Sequence, residues 1–327
     1  MKLKMLLAYA LIFASAAFAQ TEPYNDAKLT IASSAYGFCW GQELSLTKIS
    51  KTYPDLKPKA NAAQNAFNAN FGSTRTSIES YLKKGMGDTA FNTFLTQLKS
   101  DIVSMVDSQS TTKDEAIAFI KTFENRAKGD IPSPYLENFL MFKYAENPIG
   151  EFNAGHTYTF NTTGETYAKN SKWTVNVPLS WTAEESSSPE IIKQFKSECG
   201  SGGQLIMLLA IELPYDENYV MSKEEIEATF NEEQAKTMVP EGARFVSFSK
   251  IVVDGISGGM LEVEQDVEGM GVPVTIRLAQ FMVIKGKYMY CVQGAVSGDA
   301  SGVKITADMK KYMPLFKAVA NSVDIMP

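Results

Sequence analysis

Between about Ala27 and Ala145 the apolar residues recur every three or four positions, the spacing that sets side chains along one face of a helix. Ile31, Ala35, Phe38, Leu46, Ile49 and Tyr53 trace a first such face, which Pro54 ends. Ala63, Phe67, Phe71, Ile78 and Leu82 trace a second over residues 59–84, closed by Gly85-Met86-Gly87. Phe91, Phe94, Leu95, Leu98, Ile102 and Met105 trace a third. Thr112 and Glu115 have the spacing of a capping box, in which hydroxyl and carboxylate each satisfy an otherwise orphaned backbone N–H. The helix it opens carries Ala116, Ile120 and Phe123 and closes at Gly129. Ser133-Pro134 opens a short fifth helix, since proline is tolerated where the N–H has no partner.

After Asn147-Pro148-Ile149-Gly150 the pattern changes. Residues 173–177, 204–212, 244–253, 256–268, 272–284 and 288–296 are rich in β-branched and aromatic side chains and bounded by turn residues, which predicts strands. Asp254-Gly255 is a hairpin signal, because the favoured two-residue turn needs positive φ at both positions. Gly269-Met270-Gly271 and Lys285-Gly286-Lys287 are two more, so the last four strands are expected to form an antiparallel meander. Three helices are predicted among these strands: residues 188–199 up to Gly200, residues 223–238 opened by a Ser222/Glu225 capping box, and residues 307–321 with a kink at Pro314. The expected class is α+β, with an N-terminal helical bundle over residues 20–150 followed by an antiparallel-sheet sandwich over 151–327 that carries helices on its faces.

Residues 1–19 stand apart. Lys2 and Lys4 precede an apolar run ending in Ala17-Phe18-Ala19, before polar Gln20-Thr21-Glu22. That is the pattern of a cleavable signal peptide, and the run is too short for a membrane anchor. Removing it takes two lysines with it and moves the net charge from −6 to −8. Residues 20–150 hold 14 basic and 14 acidic side chains, whereas 151–327 hold 15 and 23. The second half therefore repels phosphate backbones and anionic headgroups, which argues against nucleic-acid or membrane-surface binding. No later segment is apolar for long enough to span a bilayer.

Within the second half, four features stand out: Trp173-Thr-Val-Asn-Val-Pro178-Leu-Ser-Trp181, the hairpin Val253-Asp-Gly255-Ile-Ser-Gly-Gly-Met-Leu261, the strand Tyr288-Met-Tyr-Cys-Val-Gln293, and the amphipathic helix through Phe316 and Ser322. In this order they resemble the PsbP-like fold over about residues 157–325. The resemblance implies a mostly non-catalytic class of extrinsic subunits, binding modules and bacterial envelope proteins. It supplies no catalytic residue.

Chemistry-bearing residues are few. The single histidine, His156, lies in Asn153-Ala-Gly-His156-Thr-Tyr158 and reads as a linker or edge-strand residue, because a base is recognised by its geometry toward a nucleophile. Cys39, Cys199 and Cys291 contain no Cys-x-x-Cys pair. Cys199 and Cys291 share the second domain and either bridge or stay reduced, since connectivity does not follow from sequence. In Leu261-Glu262-Val263-Glu264-Gln265-Asp266-Val267-Glu268 the alternation puts Glu262, Glu264, Asp266 and Glu268 on one strand face. That face is a candidate interaction surface. As a metal site it is poor, because same-face residues lie about 7 Å apart along a strand. The glycine clusters at 200–203 and 255–259 lack the phosphate-loop pattern and read as turns.

No cofactor or metal is expected from these motifs. The sequence points to an exported, periplasmic or secreted, non-enzymatic binding or accessory protein of the cell envelope; it does not identify the partner, for which another envelope protein is one candidate. The competing class is a carboxylate-dependent hydrolase with its site at the junction between the domains, since paired acids need no histidine.

Overall fold

Asn25 opens the first helix by accepting a hydrogen bond from the Lys28 N–H at 2.7 Å, and α1 then runs over Asp26–Thr52. The computed structural model describes residues 25–214, 219, 221–269, 272–299 and 303–326, so the signal-peptide segment lies outside the described residues. They divide into two units between Ala145 and Glu146. In the first unit a 3-10 turn over Pro54–Leu56 leads into α2 (Lys57–Met86), which ends at Gly87 with φ 79. After it come α3 (Asp88–Ser108), α4 (Lys113–Ala127) and α5 (Tyr135–Lys143). The Thr112/Glu115 capping box is formed at the start of α4. Helix α2 packs on α1, α4 and α5. Phe67, Phe71, Phe123 and Phe139 meet at the centre, with ring centroids 5.1–5.6 Å apart for three of their pairs.

The buried stripe of α1 is rotated from the expected one. Ala32, Ala35, Tyr36, Cys39, Gln42, Leu46 and Ile49 are buried, while Ile31 and Phe38 are only half-buried. Phe38 instead stacks on Tyr135 of α5 at 4.2 Å.

The second unit begins with α6 (Ile149–Asn153) and holds two antiparallel sheets. The smaller one orders β1 (Thr157–Asn161), β2 (Trp173–Pro178) and β10 (Asp324–Ile325). The larger follows the order β3-β4-β5-β9-β8-β7-β6. Its strands are β3 (Thr182–Glu184), β4 (Ile191–Lys196), β5 (Leu205–Glu212), β6 (Ala243–Val253), β7 (Ile256–Gly269), β8 (Val272–Lys285) and β9 (Tyr288–Asp299). One face of the large sheet packs against β2 and against α9 (Val303–Asn321), with Trp173 edge-on to Tyr290 at 5.8 Å. The other face is covered by α7 (Lys223–Thr229) and α8 (Glu232–Met238), through Phe230, Ala235 and Met238. Both faces being buried explains the unbroken apolar run Leu205-Ile-Met-Leu-Leu-Ala-Ile211 in β5. At Gly294 of β9 a Cβ would lie 2.2 Å from Phe316, so the missing side chain is what lets α9 seat on the strand.

The α+β class and the β6–β9 meander are as the sequence implied, and Asp254 and Gly255 turn their hairpin at φ 50 and 71. Of the Gly269-Met270-Gly271 turn, Met270 and Gly271 lie outside the described residues. Three local expectations are corrected. Residues 191–196 form a strand, not a helix. The bulge between Ile191 and Lys193 puts Ile192 on the same face as Phe195, and so produces an i, i+3 spacing inside a strand. Residues 223–238 make two helices, because Phe230 turns into the second core and Asn231 caps the Gln234 N–H at 3.0 Å. Gly258 and Gly259 are strand interior and not turn: added Cβ atoms would lie 2.1 Å from the Met282 carbonyl oxygen and 2.7 Å from Phe248.

Candidate functional site

One face of α1 carries Ser33, Gly37, Gly41 and Ser45 at intervals of four, a row of small side chains along the helix. Opposite them stand Leu98, Ile102, Met105 and Val106 of α3, Phe119 of α4 and Tyr135 of α5. A Cβ on Gly37 would lie 3.3 Å from Leu98 and one on Gly41 3.9 Å from Ile102, and a cavity of about 450 Å³ lies along this row. A second cavity of about 520 Å³ continues along α1 past Lys48, Ile49, Thr52 and Tyr53. Ser45, Val106, Gln109 and Phe119 line both, so the two adjoin along α1 and are treated together as a groove. Met105, on its wall, is 53% exposed despite being apolar.

The polar groups of the groove divide into two sorts. Lys48 Nζ donates to the carbonyls of Val106, Asp107 and Gln109 at 2.6, 3.2 and 2.5 Å, where it closes the exposed C-terminal end of α3 and complements its dipole. The Tyr53 hydroxyl donates to the Thr111 carbonyl at 2.7 Å and Ser45 Oγ to the Gly41 carbonyl at 2.8 Å. Gln42 is different. It is buried, its Oε1 accepts from Arg126 Nη1 at 2.9 Å, and its Nε2 has no acceptor among the described residues. Arg126 lies over the Phe38 ring at 5.2 Å, and burial lowers its pKa against the opposing pull of Asp130. Beside the groove, Arg75 pairs with Glu43 at 2.9 Å and lies 5.0 Å from the Trp40 ring centre. Burial there pushes the Cys39 thiol up to about 12, which keeps it protonated and unreactive.

The acidic strand face lies on the same side of the large sheet as α9, opposite Leu261 and Val263. In register, Glu264 sits between Arg244 of β6 and Arg277 of β8. Arg277 binds Glu262 through Nε and Glu264 through Nη1 at 3.2 Å; Arg244 reaches Glu264 at 3.5 Å and Asp266 at 2.5 Å. Ser247 adds a hydrogen bond to Glu262 and Thr275 one to Asp266. Arg244 holds the Asp266 carboxyl below its ordinary pKa, with help from Thr275. The Glu268 side chain lies outside the described residues.

His156 lies between α6 and β1, its N–H donating to the Glu151 carbonyl at 3.2 Å and its carbonyl accepting from Leu179. The Glu151 carboxylate is buried and accepts from Ser180 N at 2.8 Å and Oγ at 2.6 Å. Cys199 and Cys291 are not joined by a disulfide. Cys291 faces the core beneath α7 and α8, while Cys199 sits in a left-handed bend at φ 53, its N–H bonded to Ser180 beside the α9 face. Among the described residues no group of three or more His, Cys, Asp or Glu side chains is placed to hold a metal ion, and no helix is long and apolar enough to cross a membrane.

The groove and Gln42 were missed from sequence. The signal that could have found them is the row Phe38, Gln42, Leu46: one polar residue interrupting an apolar i, i+4 series, beside a parallel row of glycine and serine.

No known family matches the sequence, and no curated protein matches it. Among solved structures, LpqN of Mycobacterium tuberculosis, involved in cell envelope biogenesis, is similar over 55% of this chain and 98% of its own, at 12% identity and a TM-score of 0.29. PA94 of Pseudomonas aeruginosa, a protein of unknown function, is similar over 53% of this chain and 99% of its own, at 13% identity and a TM-score of 0.25. A protein of Bacteroides thetaiotaomicron VPI-5482 is similar over 47% of this chain at 12% identity and a TM-score of 0.27, and only 45% of that chain is covered. Likenesses this loose carry no functional conclusion.

Proposed function

We propose that this is an exported, non-enzymatic binding or accessory protein of the cell envelope whose helical unit holds an apolar ligand along α1. The observation that carries this is the groove: two adjoining cavities of about 520 and 450 Å³, in which Ile49, Ile102, Met105, Val106, Phe119 and Tyr135 supply apolar wall beside the polar side chains of Lys48, Thr52, Gln109, Thr111 and Glu115. Small-molecule sites are typically about 300–1,000 Å³. The leader-like segment ending at Ala19 supports export, and the resemblance of residues 157–325 to PsbP-like modules supports an accessory role for the sheet unit.

The test is binding of N-phenyl-1-naphthylamine, an apolar fluorophore, to the chain beginning at Gln20. Ser45 lines both cavities, so Ser45→Trp fills the groove where they meet. Saturable fluorescence enhancement in the parent, weakened at least about tenfold in the variant, is expected; that ratio corresponds to about 1.4 kcal/mol. Equal binding by a folded Ser45→Trp protein would show that the groove is not the site. Fractionation of the source cells tests export, and a product retained in the cytoplasm with residues 1–19 attached contradicts it.

A further inference from the structure

We infer that the linker between α3 and α4, residues 109–112, is the adjustable wall of the second cavity, and that Lys48 and Tyr53 are the latches that set its position. The inference rests on the groove being a binding site and assigns the part of that site that moves. The cavity of about 520 Å³ has two unlike sides. On the inner side Ile49 and Val106 are each 5% exposed and belong to the long helices α1 and α3, so they cannot yield without repacking the core. On the outer side stand Gln109, Ser110 and Thr111, none of them apolar and none of them buried.

Two side chains draw this outer wall onto α1. Lys48 Nζ holds the end of α3 and Gln109 through the carbonyls of Val106, Asp107 and Gln109, and the Tyr53 hydroxyl holds Thr111 through its carbonyl. Every acceptor is a main-chain oxygen, so the linker is placed without the help of its own side chains. Its two ends are fixed independently of these bonds. Val106 is buried, and the start of α4 is closed by its own capping box, in which the Thr112 N–H donates to the Glu115 carboxylate at 2.7 Å and the Thr112 hydroxyl accepts from the Glu115 N–H at 3.3 Å. Releasing the latches therefore frees the linker and leaves both helices in place. Release costs little, because the Asp107 and Gln109 carbonyls bond Lys48 at exposed positions where water can replace the ammonium. Segments held by a few exposed bonds, with no buried apolar contact, are the ones that open first in a fold.

Backbone ¹⁵N relaxation of the chain beginning at Gln20 tests the latches, and stopped-flow release of N-phenyl-1-naphthylamine tests what they do for the site. In the parent the Ser110 and Thr111 amides are expected near the rigid order parameter of about 0.85, and in Lys48→Met below about 0.6. Release of the fluorophore should be at least about fivefold faster in Lys48→Met, since changes at a site act mainly on the off-rate. Lys48→Arg again offers donors to the carbonyls and should return both readings to those of the parent. Tyr53→Phe removes the other latch and should loosen Thr111 more than Gln109. If Lys48 does no more than cap α3, Lys48→Met melts at a lower temperature while the linker stays rigid and release is unchanged; that result overturns the inference. So does a parent linker already below about 0.6, which needs no variant to fold. If the fluorophore does not bind the parent at all, the groove reading fails and the wall loses its role, whatever the relaxation shows.

Discussion

Gln42 in the helical unit and Glu262 in the sheet unit are both buried polar side chains on regular elements, 4% and 7% exposed, yet their surroundings treat them differently. Glu262 belongs to a closed set: Arg277 and Ser247 take its two oxygens, Arg277 goes on to Glu264, Arg244 joins Glu264 to Asp266, and Thr275 completes Asp266. Strands β6, β7 and β8 stand in register, so each carboxylate has a cation directly or diagonally opposite. Among the described residues Gln42 has one partner, Arg126, and its amide Nε2 is buried without an acceptor. A polar network that closes on itself holds a fold together; a buried donor left without an acceptor costs the fold free energy.

The largest effect is expected from opening the closed network. Arg277→Met leaves Glu262 as an unpaired buried carboxylate, a change that typically costs about 3 kcal/mol, read as a lower urea midpoint. Replacing Glu262 by Met as well should recover most of the loss. A single variant within about 0.5 kcal/mol of the parent, the range of ordinary surface changes, would mean that the ladder is as dispensable as an exposed ion pair.

Next come the glycines. Gly294→Ala drives a methyl into the Phe316 ring and is expected to cost about 2 kcal/mol, as overpacking does. Gly41→Ala has the opposite sign. Its Cβ meets only Ile102 at 3.9 Å, so helix propensity should stabilise the protein by about 0.7 kcal/mol, while the narrowed groove binds N-phenyl-1-naphthylamine more weakly. Thermal melts and fluorophore titrations on the same two proteins check both signs. A gain in stability with unchanged binding would detach Gly41 from function.

The smallest effect concerns Asp308 on α9, whose pKa is raised because burial and the charge of Glu198 outweigh Lys304 and Lys311. A carboxyl held above its unfolded value makes the ionised protein less stable as pH rises through that interval. Asp308→Asn is therefore expected to be slightly more stable than the parent at pH 7, within the small range of surface substitutions. The difference should vanish as pH falls below the ordinary aspartate value of about 3.9, where both states are protonated. A variant that is less stable at pH 7 in equilibrium denaturation would show that attraction to the lysines dominates.

Much of this architecture could be read from the chain because it is decided by near neighbours. Helix faces, the capping boxes at Thr112 and Ser222, and the turn at Asp254-Gly255 depend on residues within about four positions of each other. The α+β class follows from their order. What the chain could not reveal was settled by groups brought from a distance. The short strand Asp324–Ile325 exists only because Thr174 and Trp173 lie beside it, and the helical spacing of Ile192 and Phe195 was overruled by pairing with β5 across a bulge. The acidic alternation of β7 was visible in the sequence, but its closure needed Arg244 and Arg277 from two other strands. Gln42 shows the same limit most clearly. Its place in an apolar row is written locally, whereas the open donor on its amide is set by Arg126, 84 residues further along, and by walls on three other helices. Sequence determines which faces and caps a segment can form, because these are short-range; only the packed structure decides which polar valences are left open, because every group that could close them comes from elsewhere in the fold.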